Sequence, residues 1–126
     1  MNGPIEMRAV PEAPMELTLL TGERFRIDGH GYLTDPADWT EAFAEYTARE
    51  EGITLGSRHW ALIAWIRAEE AEHGVMPDAR FAMKFLGGAK GKQAGRAELF
   101  ELFPYGYVKQ AIKLAGMRQP RAWSTG

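Results

Sequence analysis

The side chains that could attack, ionise or hold a metal are few in this chain. Its 126 residues include no cysteine, which excludes a thiolate nucleophile, a disulfide and a Cys-ligated metal. The three histidines are His30, His59 and His73, and none stands in a metal-binding pair such as two His four apart. His59, beside Trp60, reads as a hydrogen-bonded structural residue rather than a ligand or a base. Glu50 and Glu51, and Glu69, Glu70 and Glu72, read as solvated helix faces. No serine occupies a G-x-S-x-G nucleophile elbow. The stretch "GGAKGKQAG" at 87–95 invites a phosphate-binding reading. A P-loop, however, needs Gly before four intervening residues and Ser or Thr after the Gly-Lys pair. Around Gly91-Lys92 those positions hold Leu86 and Gln93, and a helix rather than a strand precedes them. The stretch reads as a flexible loop. Neither a metal nor a cofactor is expected.

The elements that would position these residues change period along the chain. Residues 1–14 hold Pro4, Pro11 and Pro14 and read as irregular. Leu17 and Leu19, then Phe25 and Ile27, alternate with polar residues on either side of Thr21-Gly22, which predicts a β-hairpin. Tyr32-Leu33 reads as the start of a short third strand. From there the spacing is helical. Asp35 reads as a cap with Pro36 at the first helical position, Trp39, Ala42, Phe43 and Tyr46 mark one face, and Gly52 is the stop. "SRHWALIAWIRAEEAEHG" predicts a central helix capped by Ser57 and ended by Gly74, with Trp60, Ile63 and Ile66 innermost. A third helix uses Phe81, Phe85 and Leu86. A fourth, "RAELFELF", is cut off by Pro104, and a fifth runs through Val108, Ile112 and Ala115. The fold class is therefore α+β and mostly helical: an N-terminal hairpin or meander packed on about five short helices, with a C-terminal arm.

Composition agrees with one domain, at 45% apolar and 25% charged residues. The longest strongly apolar run, "WALIAWI", is far short of the roughly 20 residues that span a bilayer, and "MNGPIEMRAV" has no apolar signal core. A soluble, cytoplasmic protein is expected, with no membrane partner. The net charge of −2 hides an asymmetry: residues 1–78 hold 6 Lys/Arg against 15 Asp/Glu, and residues 79–126 hold 9 against 2. Either the halves attract each other in the fold, or the basic half faces an acidic partner or a phosphate backbone. In the second case Arg80, Lys84, Lys90, Lys92, Arg96, Lys109, Lys113, Arg118 and Arg121 are the contacts of a regulatory DNA-binding protein.

The order "GYLTDPADW", "EEGITL", "HWALIAWIR", "PDARFAMK", "ELFPYGYVKQAIKLAG", then Pro120 and a short tail resembles the DsrC/TusE family from about Gly31 to the C-terminus. The resemblance implies a single domain over 15–116 and an arm over 117–126. It also implies a small cytoplasmic sulfur-relay protein. TusE-type members pass sulfane sulfur toward the wobble uridine of tRNA, and DsrC-type members work with dissimilatory sulfite reductase. The implied partners are a DsrE/TusBCD-like sulfurtransferase complex or that reductase. The family pattern K-Q-A-C-K-x-A-G-L-P-K-P-x-G-C lays its helix cysteine on Ile112 and its arm cysteine on Trp123. Lys109, Gln110, Ala111, Lys113, Ala115, Gly116 and Pro120 match, whereas Met117, Arg118 and Gln119 depart. Ile and Trp have no ionisable sulfur with which to attack a persulfide and hold its cargo. The expectation is a cysteine-less relative that cannot carry persulfide sulfur, with no catalytic residue of its own. It would act by docking, as a regulator or a competitor, through Arg80, Lys84, Lys109, Lys113, Gly116, Arg118, Pro120, Arg121 and Trp123. Ile112 continues an apolar stripe and reads as core. Trp123 either packs into a groove of its own domain or anchors the arm in a partner.

Overall fold

In the computed structural model, residues 14–120 are described. Strands β1 (Met15–Thr18) and β2 (Arg24–Ile27) form the expected antiparallel hairpin, with Leu17 opposite Phe25 and Met15 opposite Ile27. Gly22 takes φ +97° in its turn, where a side chain would be strained. The third strand shrinks to a single bridge between Ile27 and Leu33. The Asp28 carboxylate accepts the backbone N–H groups of His30 at 2.8 Å and Tyr32 at 3.0 Å. This reverses the chain, and Pro36 soon follows, with no N–H to extend a ladder.

Asp35 does cap a helix, through the Ala37 N–H at 2.9 Å, but it is only the 3-10 turn Pro36–Asp38. The chain is extended at Trp39, and helix α1 (Glu41–Glu51) starts afresh from the Thr40 cap. The interruption swings the Trp39 indole onto the last helix, which a continuous helix would not do. Gly52 ends α1 at φ +74°, as expected. Helix α2 (Ser57–His73) has Gly56, not Ser57, at its cap. The cap is completed from inside the helix, because the Gly56 N–H donates to His59 Nδ1 at 3.0 Å. With Nδ1 accepting, the ring proton sits on Nε2, which donates to the Leu102 carbonyl at 2.9 Å. His59 is thus a structural clip between α2 and the end of α4 (Lys92–Leu102).

Helix α3 (Ala79–Gly87) buries Leu86 as expected but leaves the other two residues of its expected face outside the core. Ala82, Met83 and Leu86 are buried, while Phe81 and Phe85 are exposed. The reason lies in α4, which is four residues longer at its start than the expected helix. The supposed loop at 87–95 is a 3-10 turn, Gly88–Lys90, followed by the first turn of α4. A Cβ at Gly95 would lie 1.7 Å from the Met83 carbonyl oxygen. The α3 and α4 backbones therefore touch, with Met83 and Gly87 of α3 against Gly95 of α4, and Phe81 and Phe85 lie off that contact. Glycine here serves helix contact rather than chain flexibility.

After Pro104, the π-helical segment Tyr107–Ala111 runs directly into the α-helical turn Ile112–Leu114; together they form α5. Its residues Tyr107, Ala111, Ile112 and Leu114 are fully buried among Leu62, Ile63, Ile66, Leu99 and Phe103. The hairpin contributes a second cluster of Phe25, Leu33 and Phe43. The core is thus built around α2 and α5, and the site of interest lies where α5 ends.

Candidate functional site

Ile112, the position laid on the helix cysteine, is completely buried. It fills core volume, and burial of such a side chain stabilises by about 2 kcal/mol. Its carbonyl accepts the Met117 N–H at 3.0 Å, which closes the helix and turns the chain back. Gly116 makes that turn at φ +82°, and a Cβ there would lie 2.4 Å from the Trp39 ring. Trp39 is held in place by its own N–H, which donates to the Leu114 carbonyl at 2.7 Å. The Arg67 guanidinium stacks over the Trp39 ring at 4.4 Å. It also donates to the carbonyls of Ala115 at 2.8 Å and Pro36 at 3.0 Å. Two side chains from distant elements therefore satisfy the last carbonyls of α5, which would otherwise lack partners. Partial burial pulls the Arg67 pKa below its ordinary value, but at a level where it stays charged.

Beyond Gly116 the arm passes a pocket of about 660 Å³. Its α5 wall carries Lys109 and Lys113, its far wall His30, Tyr32 and Glu51, and its mouth Tyr105 and Gln119. Behind it runs a polar network. The Glu51 carboxylate accepts from Gln110 Nε2 at 3.0 Å and from Lys113 Nζ at 3.0 Å. Gln110, itself buried, accepts the Tyr105 N–H at 2.9 Å through its side-chain oxygen. Burial pushes the Glu51 pKa up, but the Gln110 and Lys113 hydrogen bonds and the Lys113 charge outweigh it and leave the carboxyl below its usual range. The Tyr32 hydroxyl donates to the Val108 carbonyl at 2.8 Å. Burial, reinforced by the Asp28 and Glu51 charges, pushes that phenol up to about 12, so it remains a neutral donor. The Lys113 ammonium lies 5.1 Å above the Tyr32 ring.

A second groove, of about 630 Å³, lies on α1 and α2 between Trp39 and Trp60, with Glu41, Glu45 and Arg67 at its edges.

Of the residues singled out in the sequence, Lys109 and Lys113 are brought together in the first pocket, beside Gln119. Gly116 is buried under Trp39, Arg118 is exposed, and Pro120 is half-buried. Arg80 and Lys84 belong to α3 and do not line this pocket: Arg80 pairs with Asp78 at 2.9 Å, and the Lys84 ammonium lies 6.0 Å from the Phe81 ring. Lys92 and Arg96 line a separate cleft with Met83 and Gln93. Arg121 and Trp123 lie outside the described residues. Sequence reasoning missed Trp39, Arg67, Gln110 and Glu51. Glu51 is not a freely solvated helix charge but the hub of the network. Two signals were present: Gln110 on the inner stripe of the last helix, and Arg67 next to the apolar run of α2.

Among the described residues no cluster of His, Cys, Asp or Glu is arranged to hold a metal ion, and no helix is long and apolar enough to cross a membrane. The pocket beside α5 offers the Lys109 and Lys113 ammonium groups, the His30 imidazole, the neutral Tyr32 phenol and the Glu51 carboxylate.

Comparison with known proteins matches this geometry to a family. The family described as DsrC like protein matches residues 19–122. The sulfurtransferase TusE of Sodalis glossinidius is 42% identical over 100 residues, covering 79% of this chain and 93% of that protein. Among solved structures, DsrC of Allochromatium vinosum superimposes with a TM-score of 0.74 at 31% identity, covering 88% of this chain and 99% of that one. The oxidised gamma-subunit of the dissimilatory sulfite reductase (DsrC) from Archaeoglobus fulgidus gives 0.76 at 29% identity, covering 87% and 100%.

Proposed function

The chain belongs to the DsrC/TusE family of sulfur-relay proteins and lacks both cysteines of the family's C-terminal pattern; from that premise we propose that it docks on sulfur-relay partners without carrying sulfur. The observation that supports this most is Ile112. It occupies the helix-cysteine position as a fully buried core residue, in a chain with no cysteine elsewhere to take over. Persulfide transfer needs a thiolate that attacks sulfur and then keeps it through a covalent S–S bond. Neither Ile112 nor Trp123 can form that bond, and the Ser124 hydroxyl is a poor nucleophile near neutral pH that forms no persulfide.

What the chain retains is the shape around the missing atom. The arm root is clamped by Trp39 and Arg67, and the pocket beside it presents Lys109 and Lys113. Such a molecule occupies a partner's arm-binding cleft and delivers nothing, which makes it a competitor or regulator of a cysteine-bearing relative. By its family the partner is a DsrE/TusBCD-like sulfurtransferase complex or a dissimilatory sulfite reductase, and the setting is the cytoplasm. The DNA-binding reading has only charge in its favour. Arg80 and Lys113 are already paired with carboxylates, and the cations divide between two clefts.

Two measurements test the proposal. The purified protein, exposed to a persulfide donor and examined by intact mass, is expected to gain no sulfur adduct; stoichiometric loading would overturn the negative half. Affinity capture from the native cell is expected to recover a sulfurtransferase or sulfite-reductase complex, and to lose it when residues 117–126 are removed. Capture that is unaffected by the truncation would refute docking through the arm.

A further inference from the structure

We propose that the groove between α1 and α2 is a docking site for an arginine-bearing segment of a partner protein, whose guanidinium stacks on the Trp60 indole and pairs with Glu41 and Glu45. This surface is separate from the pocket beside α5, with which it shares no lining residue.

The groove follows from the spacing of its residues. Trp60, Ala64 and Arg67 recur at helical spacing and line it from α2, while Glu41 and Glu45 stand one turn apart on α1. Ala64 is exposed and contributes only a methyl group, where a longer side chain would fill the space. The groove holds about 630 Å³, within the roughly 300–1,000 Å³ of ordinary ligand sites.

The molecule already makes one contact of the proposed kind. The Arg67 guanidinium lies over the Trp39 ring at 4.4 Å, and its N–H groups are spent on the Ala115 and Pro36 carbonyls. Trp60 lines the same groove, yet among the described residues no cation lies over its ring. Glu41 and Glu45 belong to no ion pair among those residues either. A guanidinium can lie flat on an indole and still donate from its edge to carboxylates, which a compact ammonium cannot do as well. The surrounding field has the matching sign. The groove lies wholly within residues 1–78, which hold 6 Lys/Arg against 15 Asp/Glu. A second copy of this chain is a poorer source of the cation, because its Arg58, Arg80 and Arg96 are engaged by Glu98, Asp78 and the Phe100 ring.

Proton–nitrogen correlation spectra of the full-length protein, which separate its indole N–H groups, provide the test. Trp60→Phe identifies the Trp60 resonance, and the probe is the blocked peptide acetyl-Ala-Leu-Arg-Leu-Ala-amide. Titration is expected to move the Trp60 resonance saturably and to leave that of Trp65, which does not line the groove, in place. Binding should weaken by about tenfold in Glu41→Gln with Glu45→Gln, the combined effect of two exposed charge contacts. A similar loss is expected when neutral citrulline replaces the arginine of the peptide. Ala64→Leu, a replacement at an exposed helical position, should abolish binding by filling the groove, and unchanged far-ultraviolet dichroism of each variant guards against misfolding. No movement of the Trp60 resonance at millimolar peptide would overturn the proposal, as would binding that ignores both the glutamine pair and Ala64→Leu. Free arginine amide that binds as tightly as the peptide would assign the groove to a small cation and overturn the protein segment as its occupant. So would a Trp60 resonance that, without peptide, moves on dilution of the protein, as a second copy requires, or moves in Arg118→Gln with Arg121→Gln, as the chain's own tail requires.

Discussion

Glu51 and Lys113 show how one pair of residues couples the arm region to the rest of the molecule. They meet at 3.0 Å with side chains 22% and 14% exposed, and Gln110 supplies the second hydrogen bond to the carboxylate. A carboxyl held below its usual pKa contributes stability that is present above its unfolded pKa. That stability is lost as the pH falls through the lower, folded value. In Lys113→Met the ordering contribution of the pair disappears at neutral pH. A loss of about 1–2 kcal/mol is expected there, shrinking as the pH falls through the depressed folded-state pKa of Glu51 and its carboxyl becomes protonated. Denaturant unfolding of both proteins at pH 7 and pH 3 checks this. An equal difference at the two pH values would mean that Lys113 acts through the packing of its stem and not through Glu51.

The contact between α3 and α4 is the element on which the domain's helical half depends. Gly95 lets the two backbones approach until a Cβ would overlap the Met83 carbonyl. Overpacking of a tight core typically costs 1–3 kcal/mol. Gly95→Ala belongs at the top of that range, about 3 kcal/mol, because rigid backbone and not a side chain stands in the way. It should lower the midpoint of thermal unfolding by more than Gly91→Ala, whose added Cβ meets nothing within 4 Å although its φ of +96° is strained. The arm root is a second joint between elements. Trp39 from the α1 entry and Arg67 from α2 both grip the end of α5. Arg67→Lys keeps the charge but not the planar fork that reaches Ala115 and Pro36 together. It is expected to raise amide exchange at Gly116 and Met117 while leaving exchange at Leu99 and Phe103 unchanged.

For the whole molecule, the charge asymmetry is partly spent inside the fold. The acidic half meets the basic half at Glu51–Lys113, and the order is reversed at Arg58–Glu98, 2.7 Å apart. Lys84, Lys90, Lys92 and Arg96 stay exposed on α3, α4 and the turn between them, and Lys109 and Arg118 stay exposed beside the arm's root. If the molecule is an intact carrier without its sulfur, chemistry should return with one atom type. Trp123→Cys is expected to become a substrate for persulfide loading, read as a 32 Da adduct by intact mass. Ile112→Cys alone is expected to stay inert, because its thiol would be buried where a donor cannot reach and where burial disfavours the thiolate. It should also lose about 1 kcal/mol from the lost core volume. Loading of Ile112→Cys in the native state would contradict the placement of that residue in the core.

The sequence by itself determined the family pattern, the α+β order of elements, the hairpin and the stops at Gly52 and Gly74, because these rest on local chemistry: alternation, turn residues and the left-handed conformation glycine permits. It also determined the central negative fact, since a missing sulfur needs no coordinates to be noticed. Only the tertiary structure decided which face of α3 turns inward, that 92–95 are helical, and that Glu51, Gln110, Trp39 and Arg67 surround the arm's root. Propensity read "GGAKGKQAG" as a loop because glycine is a poor helix former in isolation. Contact with Met83 reversed that, since the gain from packing two backbones together exceeds the entropy glycine gives up. Phe81 and Phe85 sit at helical spacing as convincingly as any core residue. Nothing local could reveal that α4 would approach α3 at Met83 and Gly87 instead, leaving Phe85 to stack on Trp65 at the surface.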